Sequence, residues 1–127
     1  MSISVNARVR AVPNFLVCLS AAREFMHAQD AETPPARFKK LQHELARARE
    51  LLSFAPSSGR PARFLAARSG WGRFQAEQAR QLATALGMAD LREFILARHI
   101  LLYAHSEREV VLLSLRRERE LGYRMAE

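Results

Sequence analysis

Near the end of the chain, two almost unbroken apolar runs lie on either side of a short polar link. Ile100-Leu101-Leu102-Tyr103 precedes Ser106–Glu109, and Val110-Val111-Leu112-Leu113 follows it. A strand with one face in water alternates apolar and polar side chains, so strands apolar at nearly every position need cover on both faces. The link suits a hairpin joining strands at about Ile100–His105 and Val110–Leu115, with a third strand at about Leu91–Ala97. The rest of the chain must therefore supply one layer above this sheet and another below it.

One layer is legible. Phe15, Leu19, Ala22 and Met26 step by four, three and four, which predicts a helix over about Pro13–Ala28. Thr33-Pro34-Pro35 supplies an N-cap and first-turn prolines for a second helix ending near Phe54. Its stripe is Phe38, Leu41, Leu45, Ala48 and Leu52, and the two helices form an antiparallel hairpin suited to one face of the sheet. Pro56–Pro61 is a loop rich in breakers. Residues 62–73 are mixed; a shorter third helix is expected over about Phe74–Leu86, stopped by Gly87. Ile3, Val5, Ala7 and Val9 alternate with polar residues as in a half-buried strand. The expected fold is a single α+β domain over residues 1–127. It has an N-terminal strand, the helical hairpin, a helical insertion and a small, mostly antiparallel sheet.

Charge and residue usage narrow the chemistry. Lys plus Arg number 20 against 13 acids, a net charge of +7, and all but Lys39 and Lys40 are Arg. No acid occurs between Glu50 and Glu77, whereas Arg60, Arg63, Arg68 and Arg73 do. Guanidinium forks suit phosphates and carboxylates, so an acidic partner is expected. With one cysteine, Cys18, neither an internal disulfide nor a multi-cysteine zinc site is possible. His27, His43, His99 and His105 lack metal-motif spacing, and neither GxxxxGK[ST] nor GxGxxG occurs, so no cofactor or metal is expected. No apolar run is long enough to cross a bilayer. Arg8 and Arg10 before Ala11–Ala22 mimic a secretory signal, but Arg23, Glu24 and Gln29 continue the polar face of a helix; a cytoplasmic location is expected.

Several constellations carry chemistry. Gln81–Met88 looks like the first half of a helix-turn-helix. However, Glu93 occupies the position of an apolar residue on a recognition helix, which argues against DNA reading. Trp71, between Gly70 and Gly72, is an aromatic able to stack a base or to plug a core edge. His99, His105, Tyr103, Tyr123 and the C-terminal arginines are candidate acid–base groups, with sheet edges as the alternative for His99 and His105, which flank the middle strand. Arg117 and Tyr123 would meet if the chain turned at Gly122, giving a guanidinium beside a phenol; the alternative is a solvated basic tail with Tyr123 packed on the sheet.

In element order and in three local strings the chain resembles the RelE/ParE superfamily of bacterial toxins. The strings are Leu51–Pro61 with its leucine, proline and glycine-arginine ending; Leu91–Leu96 leading to Ile100–Tyr103; and Val110–Tyr123 with its basic tail. The likeness covers about residues 12–124, with 62–90 standing apart as an insertion. It implies the toxin of a type II toxin–antitoxin system, neutralised by an acidic antitoxin that folds as it binds. RelE-like members cut mRNA on the ribosome without a metal, and Arg117 and Tyr123 match their tail pair. Their strand cations do not carry over: Ile100 stands where they place an arginine, and Glu93 and Ile95 stand at lysine positions. The resemblance therefore favours the ParE branch, which inhibits DNA gyrase by binding. Arg116, Arg117, Arg119 and Tyr123 are the expected target-contacting residues. A ribosome-dependent mRNA endonuclease, a non-toxic basic nucleic-acid-binding module and a toxin that has lost its target activity remain alternatives.

Overall fold

A computed structural model describes residues 6–29, 34–62, 70–88, 90–119, 123 and 125. The elements are β1 (Arg8–Ala11), α1 (Pro13–Gln29), α2 (Pro34–Phe54), a 3-10 turn (Pro56–Ser58), β2 (Arg60–Pro61), α3 (Gly70–Ala85), β3 (Asp90–Ile95), β4 (His99–His105) and β5 (Glu109–Arg117). They form an α+β fold around a five-stranded sheet of order β1-β5-β4-β3-β2. Among the described strands only the β1–β5 pair is parallel.

The two-sided apolar pattern of β4 and β5 is met by a helical layer on each face. Phe15, Cys18 and Met26 of α1, with Leu41, Ala48 and Leu52 of α2, pack on Leu101, Tyr103, Val110, Leu112 and Leu115. On the other face α3 brings Ala79 and Ala83 against Leu102, Ala104, Val111 and Leu113. Alanines at i and i+4 let a helix backbone approach closely, and Ala76 extends the same buried seam.

Several boundaries differ from expectation for local reasons. The N-terminal strand begins at Arg8, because the Ala7 N–H donates to Ser53 O (2.7 Å) and Ala7 O accepts from Ser53 Oγ (2.7 Å), tying Ala7 to α2. Ile3 and Val5 lie outside the described residues, as do Thr33 and Gly122. Helix α3 starts at Gly70, four residues before the expected Phe74, and ends before Gly87, whose φ of +73° turns the chain. Strand β3 stops at Ile95, where Leu96 N donates to His99 O (2.9 Å) across a tight turn. Strand β5 continues past Leu115 to Arg117, paired with His99.

Between Leu102 and Tyr103 the β4–β5 register slips, leaving Leu113 as an extra residue. Asn14, in the first turn of α1, donates from Nδ2 to Leu113 O (2.9 Å), satisfying the carbonyl at this bulge. Cys18 Sγ and Ser114 Oγ lie 3.5 Å apart beside it. The segment Leu91–Leu102 is two strands and a turn, so the helix-turn-helix reading of Gln81–Met88 has no recognition helix.

A basic cleft at the end of the sheet

The expected tail cluster does not converge. Arg116 and Arg117 are neighbours on β5, so their side chains leave opposite faces of the sheet. Arg117 lies over the Phe25 ring of α1, 3.9 Å from its centroid, whereas Arg116 lies over Tyr123, 5.1 Å away. Tyr123 belongs to the α3-side core and is 1% exposed. Its hydroxyl donates to the Glu93 carboxylate, and its carbonyl accepts from Gln75 Nε2 (2.7 Å). Burial pushes the phenol well above its ordinary value, and the Glu93 carboxylate reinforces the shift. The pairing of Arg117 with Tyr123 in one site is thus corrected: a sheet lies between them, and the phenol is fully engaged in the core.

Glu93, also 1% exposed, faces the α3 side with Leu91 and receives Arg60 Nε at 3.3 Å as well as Tyr123. A buried carboxylate persists only when paired and hydrogen-bonded, and this network supplies both. Tyr103 too is a structural phenol. Its hydroxyl donates to Pro56 O (2.7 Å) and accepts from Gly59 N–H (2.9 Å), while Arg92 Nη1 donates to Gly59 O (2.8 Å). Burial raises the Tyr103 phenol, an effect partly offset by the Gly59 bond and by Arg92. Strand β4 thereby holds the loop that follows α2.

His99 and His105 occupy opposite ends of β4, a central strand, rather than sheet edges. His105 Nε2 lies 2.9 Å from Asp90 Oδ2, and Arg92 Nε lies 3.2 Å from the same oxygen. Trp71 is in the first turn of α3, its side chain outside the described part of the structure.

His99 is buried in the wall of a cleft of about 830 Å³ where the helical hairpin meets the end of the sheet. Helix α1 contributes Ala22, Phe25 and Met26 and α2 contributes Leu41, forming an apolar floor. Cations line the rest: Arg37 and Lys40 from α2, Arg98 from the β3–β4 turn, and Arg117 and Arg119 from the end of β5. Glu44 and Glu118 are the acids among its lining residues. Two contacts fix the rim. Glu118 N donates to Arg98 O (2.9 Å), holding the turn against the end of β5, and Arg116 Nη1 donates to the carbonyls of Arg117 (3.3 Å) and Glu118 (3.2 Å). Arg37, Lys40 and Arg98 did not stand out in the sequence; Arg37 and Lys40 share a helix face at i, i+3, but only the tertiary fold brings Arg98 to them.

Among the described residues no group of three or more His, Cys, Asp or Glu is placed to hold a metal ion, and no helix is long and apolar enough to cross a membrane. A scan against protein-family models finds no match to the chain, and a search of curated proteins finds none either.

Proposed function

We propose that the chain is the toxin of a type II toxin–antitoxin pair of the RelE/ParE kind, working in the cytoplasm. In this reading it acts by binding, with DNA gyrase as target, and a cognate acidic antitoxin holds it in check. The element order supports the family: a strand, a helical hairpin and three antiparallel strands, with the first strand added parallel to the last. Two of the resembling strings also meet in space, because Gly59 in the Leu51–Pro61 string is held by Tyr103 and Arg92 of the strand string.

One observation carries the choice of binding over RNA cleavage. A metal-free nuclease needs charge stabilisation and a proton donor converging on one phosphate. Here Arg117 and Tyr123 lie on opposite sheet faces, and the phenol is committed to Glu93. Target contact then falls to the basic rim, the half-buried Arg117 and the exposed Arg119, with Arg116 and Tyr123 acting as its support. For the antitoxin, Leu16 and Val17 of α1 and Leu51 and Phe54 of α2 expose apolar surface on the hairpin, Phe54 being 74% exposed. An amphipathic acidic segment suits that surface and the +7 charge.

The test is pulse-labelling of DNA and protein synthesis just after induction in cells lacking antitoxin. DNA synthesis falling first, with relief in the folded Arg117→Gln/Arg119→Gln variant, is the expected result. Protein synthesis falling first would move the target to the ribosome, and unimpaired growth would remove the toxin reading.

A further inference from the structure

Of the cleft at the end of the sheet the toxin reading uses two rim cations, Arg117 and Arg119, but neither the apolar floor nor the cations facing them. Its floor is apolar, Phe25, Met26 and Leu41 among its members, and its rim carries five cations against two acids. Four of the five cations are arginines. Pockets that enclose small ligands run roughly 300–1,000 Å³, and this one, at about 830 Å³, is near the upper end. Arg117 lies over the Phe25 ring, 3.9 Å from its centroid, and Arg37 Nη1 reaches Gln29 Oε1 (3.5 Å), so two of the guanidinium groups have contacts within the cleft lining.

We propose that this cleft binds a nucleotide unit, its phosphate held between the rim cations Arg98, Arg117 and Arg119 on the sheet side and Lys40 on the helix side. The base lies over the apolar floor beside Phe25. A phosphate concentrates charge in one place, which suits cations drawn from three separate elements onto one small opening. An acidic amphipathic peptide fits less well, because the exposed apolar residues it needs, Leu16, Val17, Leu51 and Phe54, lie at the opposite end of the hairpin. The inference shares Arg117 and Arg119 with the toxin reading but does not rest on it, since binding is read on purified protein without any cellular target.

The experiment titrates the purified full chain with adenosine monophosphate by calorimetry and with a fluorescein-labelled short oligoadenylate by anisotropy. Two cleft variants, Arg98→Gln/Arg117→Gln and the fully surface-placed Lys40→Gln/Arg119→Gln, are compared with Arg47→Gln/Arg49→Gln. This last pair makes the same charge change on exposed positions of α2 outside the cleft. Folding of each variant is checked by circular dichroism. Both cleft variants are expected to bind about tenfold or more weakly, while the control stays within about twofold, and the salt slope for the oligonucleotide falls by about 0.7, the value for one lost phosphate contact. Binding of the mononucleotide as tightly as the oligonucleotide assigns a free nucleotide; much tighter oligonucleotide binding assigns a single strand. Equal losses in cleft and control variants would reduce the effect to net charge and overturn the proposal. So would no binding of either probe, or cleft-dependent binding of a Glu-rich amphipathic peptide alone.

Discussion

Replacing Gly59 with alanine isolates the junction between the loop after α2 and the sheet. A Cβ built there would lie 2.6 Å from Glu93 O, 2.6 Å from Tyr103 Oη and 2.8 Å from Tyr103 Cε1. Backbone conformation is not the obstacle, since Gly59 has φ −72° and ψ 168°, which alanine adopts freely. On that account alone the substitution would stabilise by about 0.4–1 kcal/mol, by restricting the unfolded chain. Overpacking works the other way, at about 1–3 kcal/mol or more, and the upper end applies because one obstructing atom is the main chain of β3. Moving the loop to relieve the clash also stretches the Gly59–Tyr103 and Arg92–Gly59 hydrogen bonds. The net expectation is a loss of about 2 kcal/mol. At about 2.1 cal/mol/K per residue over 127 residues, that is a fall of about 8 °C in Tm. Urea unfolding measures the loss directly. A cycle with Tyr103→Phe tests its origin: that variant removes the Oη obstruction but strands Gly59 N–H and Pro56 O, so coupling of about 1 kcal/mol is expected. Unchanged or increased stability in Gly59→Ala would refute the close packing of Gly59 against Tyr103 and β3.

Further expectations follow from the polar groups of the core. Tyr103 and Tyr123 are the chain's two tyrosines, and both phenols are raised in the folded state. The folded chain therefore holds more protons than the unfolded chain above pH about 10, so stability is intact below that pH and falls as pH rises beyond it. Absorbance should show less phenolate at pH about 10 in the native protein than in denaturant, where both tyrosines titrate normally; equal ionisation in the two would contradict the burial. Asn14→Ala removes the donor to Leu113 O and should cost about 1–3 kcal/mol by urea unfolding, whereas a neutral result would mean the bulge carbonyl finds water. Glu93→Ala removes the acceptor of the buried Tyr123 hydroxyl and the partner of Arg60, with an expected loss of about 1–3 kcal/mol; Glu93→Gln, which keeps an acceptor, should lose less. The reverse order would refute the network.

The layer architecture was legible because continuous apolar runs leave few alternatives. Ile100–Tyr103 and Val110–Leu113 demanded two covered faces, and the stripe from Phe38 to Leu52 named one cover correctly. The other cover was hidden by its composition: α3 meets the sheet through Ala76, Ala79 and Ala83, which carry little hydrophobic signal. The tail site was misread because β5 was ended at Leu115. Two more residues of strand place Arg116 and Arg117 on opposite faces by period two alone, and that would have separated Arg117 from Tyr123. Glu93 gave a second clue: one turn of the pleat from Leu91, on a face otherwise apolar, a carboxylate needs buried partners, and Tyr123 and Arg60 are those partners. The cleft could not be read at all. Its cations come from α2, the β3–β4 turn and β5, and no local spacing relates them.

The parallel pairing of β1 with β5 also bears on how the molecule is made. Arg10 meets Glu109 across 99 residues, and Arg8 through Ala11 find their register only on a strand that starts at Glu109. Closing a loop of that size costs about 4 kcal/mol in chain entropy, against about 2 for a ten-residue closure, so the local β4–β5 hairpin forms far more readily. During synthesis β1 emerges with no partner and must wait for β5, 99 residues further along, to leave the ribosome. Until then the edge of β1 and the inner face of the hairpin are open to other chains, and the folded state is reached only once β5 is free.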